Sequence, residues 1–284
     1  LSIDLHTHTS YSDGSLTPGQ LIELARFNGV TALAITDHDE VAANLIALDY
    51  NGSSGVDVIP GVELSIDYPL ETRGHLHLIG LWIDPGHDEL TSILHDLRKA
   101  RRLRAQQIIE KLNLIGIKIR LEDLAALNHN GYIGRPHIAS LLLNKGHTRS
   151  LHEAYRQYLG DNCPAYVSKK KLGLQTAINL IHRAGGLAML AHPFSLGYPT
   201  YDQLGNEILR MKETGLDGLE AYNPNYDDNA TDWLLQFASK HQFLVSGGSD
   251  FHGEMKPGIN LGSGHGNLFI PEMILTTLKN HRNS

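Results

Sequence analysis

A single cysteine, Cys163, stands among 284 residues, so no disulfide within the chain can staple the fold. That suits a reducing compartment, and a cytoplasmic setting is expected. Charge is sparse as well: 19% of the residues are Asp, Glu, Lys or Arg, and the formal net charge is −7. An acidic balance excludes a general nucleic-acid coat and leaves room only for a local basic patch. No apolar run is long enough to span a bilayer, and the first residues carry no secretory signal pattern. Neither a membrane nor a stable protein partner is expected. With 41% hydrophobic residues, the chain can bury an ordinary globular core, as one large barrel or as a core domain with an insertion.

Against these absences stand 17 histidines, and their placement carries the information. Residues 3–14 read IDLHTHTSYSDG. In a strand, residues two apart share a face, so His6 and His8 present two imidazoles side by side. Such a pair chelates a dication if the rest of the chain supplies more ligands.

The rest of the chain alternates short apolar runs with helical stretches. TPGQ at residues 17–20 has the form of a capping box and predicts a helix over residues 18–27. VTALAI at residues 30–35 is a strand that stops at TDHDE. VDVIPGVELSI at residues 56–66 is strand-like and carries Glu63. In GHLHLIGLWI, residues 74–83, His75 and His77 fall on one face and Leu76 and Leu78 on the other. GLAMLAHPF places His192 behind an apolar run, and LDGLEAYNP and FLVSGGSDFHG repeat the pattern. This is the layout of an α/β barrel, whose chemistry gathers at the C-terminal strand ends. Residues 89–164 break the rhythm: Leu90, Ile93, Leu94 and Leu97 have helical spacing, as do Ile108, Ile109 and Leu112. SLHE at residues 150–153 is a further capping box. The expected organisation is a discontinuous barrel over residues 1–88 and 165–284, with residues 89–164 inserted as a helical substrate cap.

Polar residues collect at the strand ends: His6, His8, Asp13, His38, Glu63, His75 or His77, His192, Asp250 and His252. His, Asp and Glu without thiolate suit Mn, Fe or Zn. Nine ligands exceed the roughly four to six bonds of one ion, so two or three ions fit better, with Glu63 placed to bridge.

Six motifs in order, IDLHTHTSYSDG, ITDHD, PGVELS, HLIG, LAHP and GSDFHG, resemble those of the polymerase and histidinol phosphatase (PHP) superfamily. GRPHIA at residues 134–139 is similar to the branch of nucleoside 3′,5′-bisphosphate phosphatases and 5′-to-3′ exoribonucleases acting on short RNA. The resemblance implies a distorted seven-stranded (β/α) barrel and a trinuclear site, with manganese the first candidate and iron or zinc the next. It implies His6, His8, Glu63 and Asp250 on one ion, Glu63, His77 and His192 on a second, and Asp13, His38 and His252 on the third. His77 is preferred over His75 because Leu-Ile-Gly follows it.

Three dications would outweigh the carboxylates of Asp13, Glu63 and Asp250, and a cationic mouth attracts an anion. Water on such ions becomes hydroxide near neutral pH, so no side-chain nucleophile is needed. Pro136 predicts a helix running to about residue 144, which sets Arg135 and His137 at a helix N-terminus, a natural phosphate site. LRKARRLR, residues 97–104, is expected to be a solvated face, with a guide for a nucleotide or short RNA as the alternative. Lys169 to Lys171 raise the same question, and Tyr222, Asn223 and Tyr226 could stack on a base. The expected function is metal-dependent hydrolysis of phosphate esters in nucleotides or short RNA. The alternatives are a small-metabolite phosphatase of the histidinol phosphate type and a non-catalytic polymerase-accessory module.

Overall fold

A computed structural model describes residues 2–50, 55–125 and 132–282. Each apolar run of the sequence forms a strand: β1 (Ser2–Thr7), β2 (Val30–Ile35), β3 (Asp57–Asp67), β4 (Leu76–Leu81), the two-residue β5 (Leu172–Gly173), β6 (Leu187–Leu190), β7 (Gly218–Tyr222) and β8 (Leu244–Gly247). They form one sheet in the order β1-β2-β3-β4-β6-β7-β8, with β5 beside β3. Helices α1 (Pro18–Phe27), α2 (Ala42–Leu48), α7 (Leu174–Arg183), α8 (Tyr201–Lys212), α9 (Asp228–His241) and α10 (Glu272–Arg282) connect or follow these strands. The predicted box starts α1: Thr17 Oγ1 accepts from the Gln20 amide at 3.4 Å, and the Gln20 side chain accepts from the Thr17 amide at 2.9 Å.

All neighbours in this order are parallel except at β4, which runs against both β3 and β6. The reversal has a direct consequence for the histidines. The start of β4 lies where its neighbours end. Ser65 pairs with His77, Leu78 pairs with Leu190, and the Ala191 amide donates to the His77 carbonyl at 3.1 Å. His75 and His77 therefore reach the same mouth as the residues that follow β1, β2 and β6.

The expected closure of a seven-stranded barrel is not made by a strand ladder among the described residues. β8 is only four residues long, and the backbone hydrogen bonds to the β1 side fall beyond it. An isolated bridge links Thr7 to Phe251, the His8 amide donates to Phe251 O, and the Asp250 amide donates to His6 O, both at 2.9 Å. Gly248 makes that approach possible: a Cβ there would sit 2.3 Å from the Cβ of His6.

Between β4 and β5 the described residues hold only helices and turns: α3 (Asp88–Leu114), α4 (Leu121–Ala125), α5 (Arg135–Asn144) and α6 (Leu151–Ala154), which runs into a π-helical turn, Tyr155–Leu159. From Ala105 onward they share an apolar cluster of their own, with Ile108, Leu112, Ile138, Leu142 and Leu159, whereas Leu90, Leu94 and Leu97 at the start of α3 pack into the main core. Residues 126–131 of this stretch lie outside the described residues. At the start of α6, Ser150 accepts from the Glu153 amide, but the Glu153 carboxylate turns to the Arg149 amide rather than completing the box. No helix among the described residues is long and apolar enough to cross a membrane.

Candidate metal centre

Nine side chains predicted from the sequence meet at one end of the sheet. Glu63, 1% exposed, stands at the middle. Its Oε2 lies 3.3 Å from His6 Nε2, 3.2 Å from His8 Nε2 and 3.0 Å from His38 Nδ1. Its Oε1 lies 2.7 Å from His77 Nδ1 and 3.0 Å from His192 Nε2. Asp250 Oδ1 faces His6 Nε2 at 3.6 Å and His8 Nε2 at 3.4 Å. Asp13 lies 3.9 Å from His38 and 3.4 Å from His252. His75 adjoins the set, with its ring 5.0 Å from that of His77 and 5.6 Å from that of His192.

The backbone is bent to achieve this. His192 (φ 30°) and Asp250 (φ 54°) both adopt positive φ just beyond their strands. Non-glycine residues rarely do so, and such strain concentrates at functional sites. In the turn after β1, a Cβ on Gly14 would meet the His8 carbonyl oxygen at 2.3 Å, so only glycine lets that turn fold back on the histidine.

Several imidazoles are held from behind by an oxygen. His6 Nδ1 bonds Glu220 Oε1 at 3.0 Å, and His252 Nδ1 donates to the Asp250 carbonyl at 2.8 Å. His8 Nδ1 faces Ser12 Oγ at 3.3 Å, and His192 Nδ1 pairs with Ser195 Oγ at 2.8 Å. Each contact fixes the ring and presents the opposite nitrogen to the centre, the usual support for a metal-ligating histidine. Asp37 anchors the turn after β1 through the Thr9 amide at 2.8 Å, the Thr9 hydroxyl at 2.6 Å and the Ser12 hydroxyl.

At the centre itself, hydrogen bonds run out. His6 Nε2, His8 Nε2, His38 Nδ1, Asp13 Oδ1 and Glu63 Oε2 are buried with no hydrogen-bond partner. Buried polar atoms are costly to leave unpaired, and here they face a common space. Burial opposes ionisation of Glu63, yet His38, His77 and His6 hold its carboxyl well below the usual range. Burial likewise opposes ionisation of Asp13 and Asp250; His38 and His252 outweigh it at Asp13, and Lys256 and His6 do so at Asp250. His6 resists protonation through burial, but Glu220, Glu63 and Asp250 raise its pKa well above the ordinary value. His77 is pushed down to about 3 and His252 to about 4, chiefly by burial. The centre thus offers ionised carboxylates, neutral imidazoles at His77 and His252, and at His6 and His8 imidazoles that the carboxylates draw toward positive charge, a pull that a proton or a metal cation can satisfy. Four overlapping groups place their donor atoms within 4.8 Å of one another: His8, Asp13, His38 and His252; His6, His8 and Asp250; His38, Glu63 and His77; His75, His77 and His192. The donors fit divalent metal ions of the Mn, Fe or Zn type.

Two cavities meet at this centre, sharing His38, His75 and His77. One, of about 310 Å³, is lined by Arg73, Arg101, Arg104, Arg135, Lys169 and Lys171 beside Asp13. This corrects the solvated-face reading of residues 97–104. Lys99 and Arg102 are exposed, but Arg101 and Arg104 are each only 7% exposed. Arg101 pairs with Asp39, whose carboxylate also holds Lys169 Nζ at 2.6 Å. Arg104 Nε donates to Val167 O at 2.8 Å. Arg135 Nη1 donates to Leu159 O at 3.1 Å, and its guanidinium lies over the rings of Tyr155 and Tyr166. Burial and Arg101 push Lys169 down to about 8; burial, Arg135 and Arg101 push Arg104 down to about 10. Cations that lower one another in this way favour a bound anion. His137 is buried beside this wall, with its Nδ1 accepting from the Gly134 amide at 3.1 Å.

The other cavity, of about 670 Å³, joins Glu63, His192, Asp250 and Lys256 to Phe194, Tyr198, Tyr201, Asn223 and Tyr226. Asn223 and Tyr226 reach it as expected. Tyr222 instead packs against the apolar clusters under the sheet. The sequence reading missed Glu220, Asp37, Asp39 and Lys256. Glu220 had a signal: a carboxylate in the apolar run of β7 needs a partner in the core.

The chain matches the model of the PHP domain family over residues 4–222. It is 35% identical over 263 residues to the 5′-3′ exoribonuclease Rnm of Escherichia coli, spanning 91% of this chain and 87% of that protein. It is 31% identical over 264 residues to the 3′,5′-nucleoside bisphosphate phosphatase of Chromobacterium violaceum, spanning 92% of this chain and 90% of that one. A crystal structure from Bifidobacterium adolescentis, of a proposed metal-dependent phosphoesterase, superposes with a TM-score of 0.84 at 28% identity, over 97% of this chain and 94% of that chain.

Proposed function

The chain belongs to the PHP domain family and is a metal-dependent phosphoesterase, and we propose that its substrates are nucleotides. It removes a terminal phosphate from a nucleoside 3′,5′-bisphosphate, or cuts nucleotides from the 5′ end of short RNA. The observation that carries this reading is the cationic cavity opening onto the metal centre. A substrate with two phosphates can seat one at the centre and the other among Arg101, Arg104, Arg135 and Lys169. A phosphate monoester with a single anion would leave those cations unused.

In this reading three ions are held, manganese foremost: by His6, His8, Glu63 and Asp250; by Glu63, His77 and His192; and by Asp13, His38 and His252. When bound, such ions supply Lewis-acid activation of water and of the phosphoryl oxygens. The chain's own groups do the rest. Glu220, Ser12 and Ser195 orient imidazoles, Asp39 holds Arg101 and Lys169 toward the second phosphate, and the arginines bind it with paired hydrogen bonds. His77, which touches Glu63, fits the second ion better than the more exposed His75. The fold reading that accompanies this is a distorted seven-stranded barrel. Residues 89–164 form its helical cap, supported by the apolar cluster that α3 from Ala105 onward shares with α4, α5 and α6 and by Arg135 at the cavity wall, while the start of α3, with Leu90, Leu94 and Leu97, anchors it on the main core.

The test is a panel of a nucleoside 3′,5′-bisphosphate, a short 5′-phosphorylated RNA, histidinol phosphate and an aryl phosphate. The first two should far exceed the others in kcat/KM. Preference for histidinol phosphate would favour the small-metabolite alternative, and no turnover at all would favour an accessory role.

A pH effect follows from Lys169. Its pKa of about 8 means that it is charged below that pH and neutral above it. Arg101, Arg104 and Asp39 face it and keep their charges through this range. Substrate capture should therefore weaken as pH rises past about 8, and kcat/KM for the bisphosphate should fall. Lys169→Met should lower the plateau and flatten that limb. An unchanged limb in the variant would assign the titration elsewhere.

A further inference from the structure

The site cavity does not end at the metal centre. Its outer wall includes Tyr201, at the start of α8, and the same ring lines a second groove of about 490 Å³ between α8 and α9. Tyr201 stacks on Trp233 with ring centres 4.8 Å apart and planes 12° apart, and Trp233 stacks on Phe237 at 5.1 Å and 26°. Gly205 lets the helices approach this closely, since a Cβ there would meet Phe237 Cε2 at 2.9 Å. Packing alone accounts for Trp233 and Phe237, which border the main core. It does not account for Tyr201, which is 41% exposed and caps the stack at the rim of the reaction cavity. Beyond it the groove is lined by Asn206, Gln236, Lys240 and His241, with Asp202 at its edge.

We propose that Tyr201, backed by Trp233, is a second nucleobase platform that holds single-stranded RNA downstream of the scissile phosphate. This rests on the nucleotide reading above and extends it. With a 5′-terminal phosphate in the cationic cavity, the reacting phosphorus lies at the centre and the strand continues away from the cations. The continuing route is the aromatic cavity, then the rim at Tyr201. Hydrolysis places the hydroxyl of water on phosphorus and its proton on the departing 3′ oxygen. The phosphorus carries either no further ester, as in a bisphosphate, or the remaining strand, as in RNA. Both substrates share one centre, and only the strand needs the platform. A flat exposed ring suits any base, and Lys240 and His241 give the groove cationic and polar contacts for the backbone.

Two measurements test this. The chain has two tryptophans, so Trp82→Phe leaves Trp233 as the only indole reporter. Metal-stripped Trp82→Phe should show quenched tryptophan fluorescence with a 5′-phosphorylated hexaribonucleotide, but not with adenosine 3′,5′-bisphosphate. Absence of quenching by RNA, or equal quenching by both, overturns the platform. Independently, Tyr201→Ala should lower the ratio of kcat/KM for the hexaribonucleotide over that for the bisphosphate by about 5- to 150-fold, the range set by loss of one base–aromatic stack. An unchanged ratio overturns it. If the parent protein hydrolyses the bisphosphate but not the RNA, this inference falls and the phosphoesterase reading stands; if it hydrolyses neither, both fall.

Discussion

Glu63→Gln should lose at least about 1000-fold in kcat/KM, because several kcal/mol of charge stabilisation depend on the ions it helps to hold. No other side chain in the centre has so many partners: its two oxygens lie within 3.3 Å of His6, His8, His38, His77 and His192. The amide is nearly isosteric, so the strand and its packing should survive, and circular dichroism should be unchanged. What is lost is a negative charge shared between neighbouring ligand groups. Bound metal measured by mass spectrometry should fall with activity. Full metal content with near-normal turnover would remove Glu63 from the bridging role.

Arg135→Ala should separate binding from chemistry. Its guanidinium stands on α5, away from the strand-end ligands, and the one carboxylate it pairs with among the described residues, Asp161, is 3.5 Å away and largely exposed. Loss of hydrogen bonds from a charged group to phosphate costs about 1.5–3 kcal/mol, or roughly a 10- to 150-fold fall in kcat/KM. That fall is expected for a nucleoside bisphosphate and for 5′-phosphorylated RNA, with metal content unchanged. An aryl phosphate lacks the second anion, so its hydrolysis should change little. Equal losses on all substrates would place Arg135 at the reacting phosphate, and no loss on any would leave it a structural residue against Tyr155 and Tyr166.

The contrast between these two residues reflects what a single sequence can carry. Glu63 and its partners were legible because each sits within or next to a short apolar run, and strand ends converge. The runs themselves placed β1 and gave β2 and α1 to the residue, since alternation and capping are local properties. The reversal of β4 was not legible. Its histidines come before the apolar run rather than after it, which is the trace such a reversal leaves, but pairing direction is a long-range property. The basic run was misread for a related reason. Leu97, Arg101, Arg104 and Ile108 follow helical spacing and share the buried face of α3, but as a run of charge they look solvated. What makes their burial tolerable is Asp39 for Arg101 and a backbone carbonyl for Arg104, both distant in sequence. Glu220 was passed over because its partners, His6 and the His192 amide, lie far from it in sequence.

The central claim is that one His, Asp and Glu centre holds the ions on which phosphoester hydrolysis depends. It is tested most directly by metal stoichiometry and turnover of a nucleoside 3′,5′-bisphosphate on the same preparation, before chelation, after it, and after manganese is restored. Turnover should vanish as metal is removed and return as manganese rebinds, while His6→Ala should bind less metal and fail to recover full activity. Undiminished hydrolysis by protein shown to be metal-free would contradict the account.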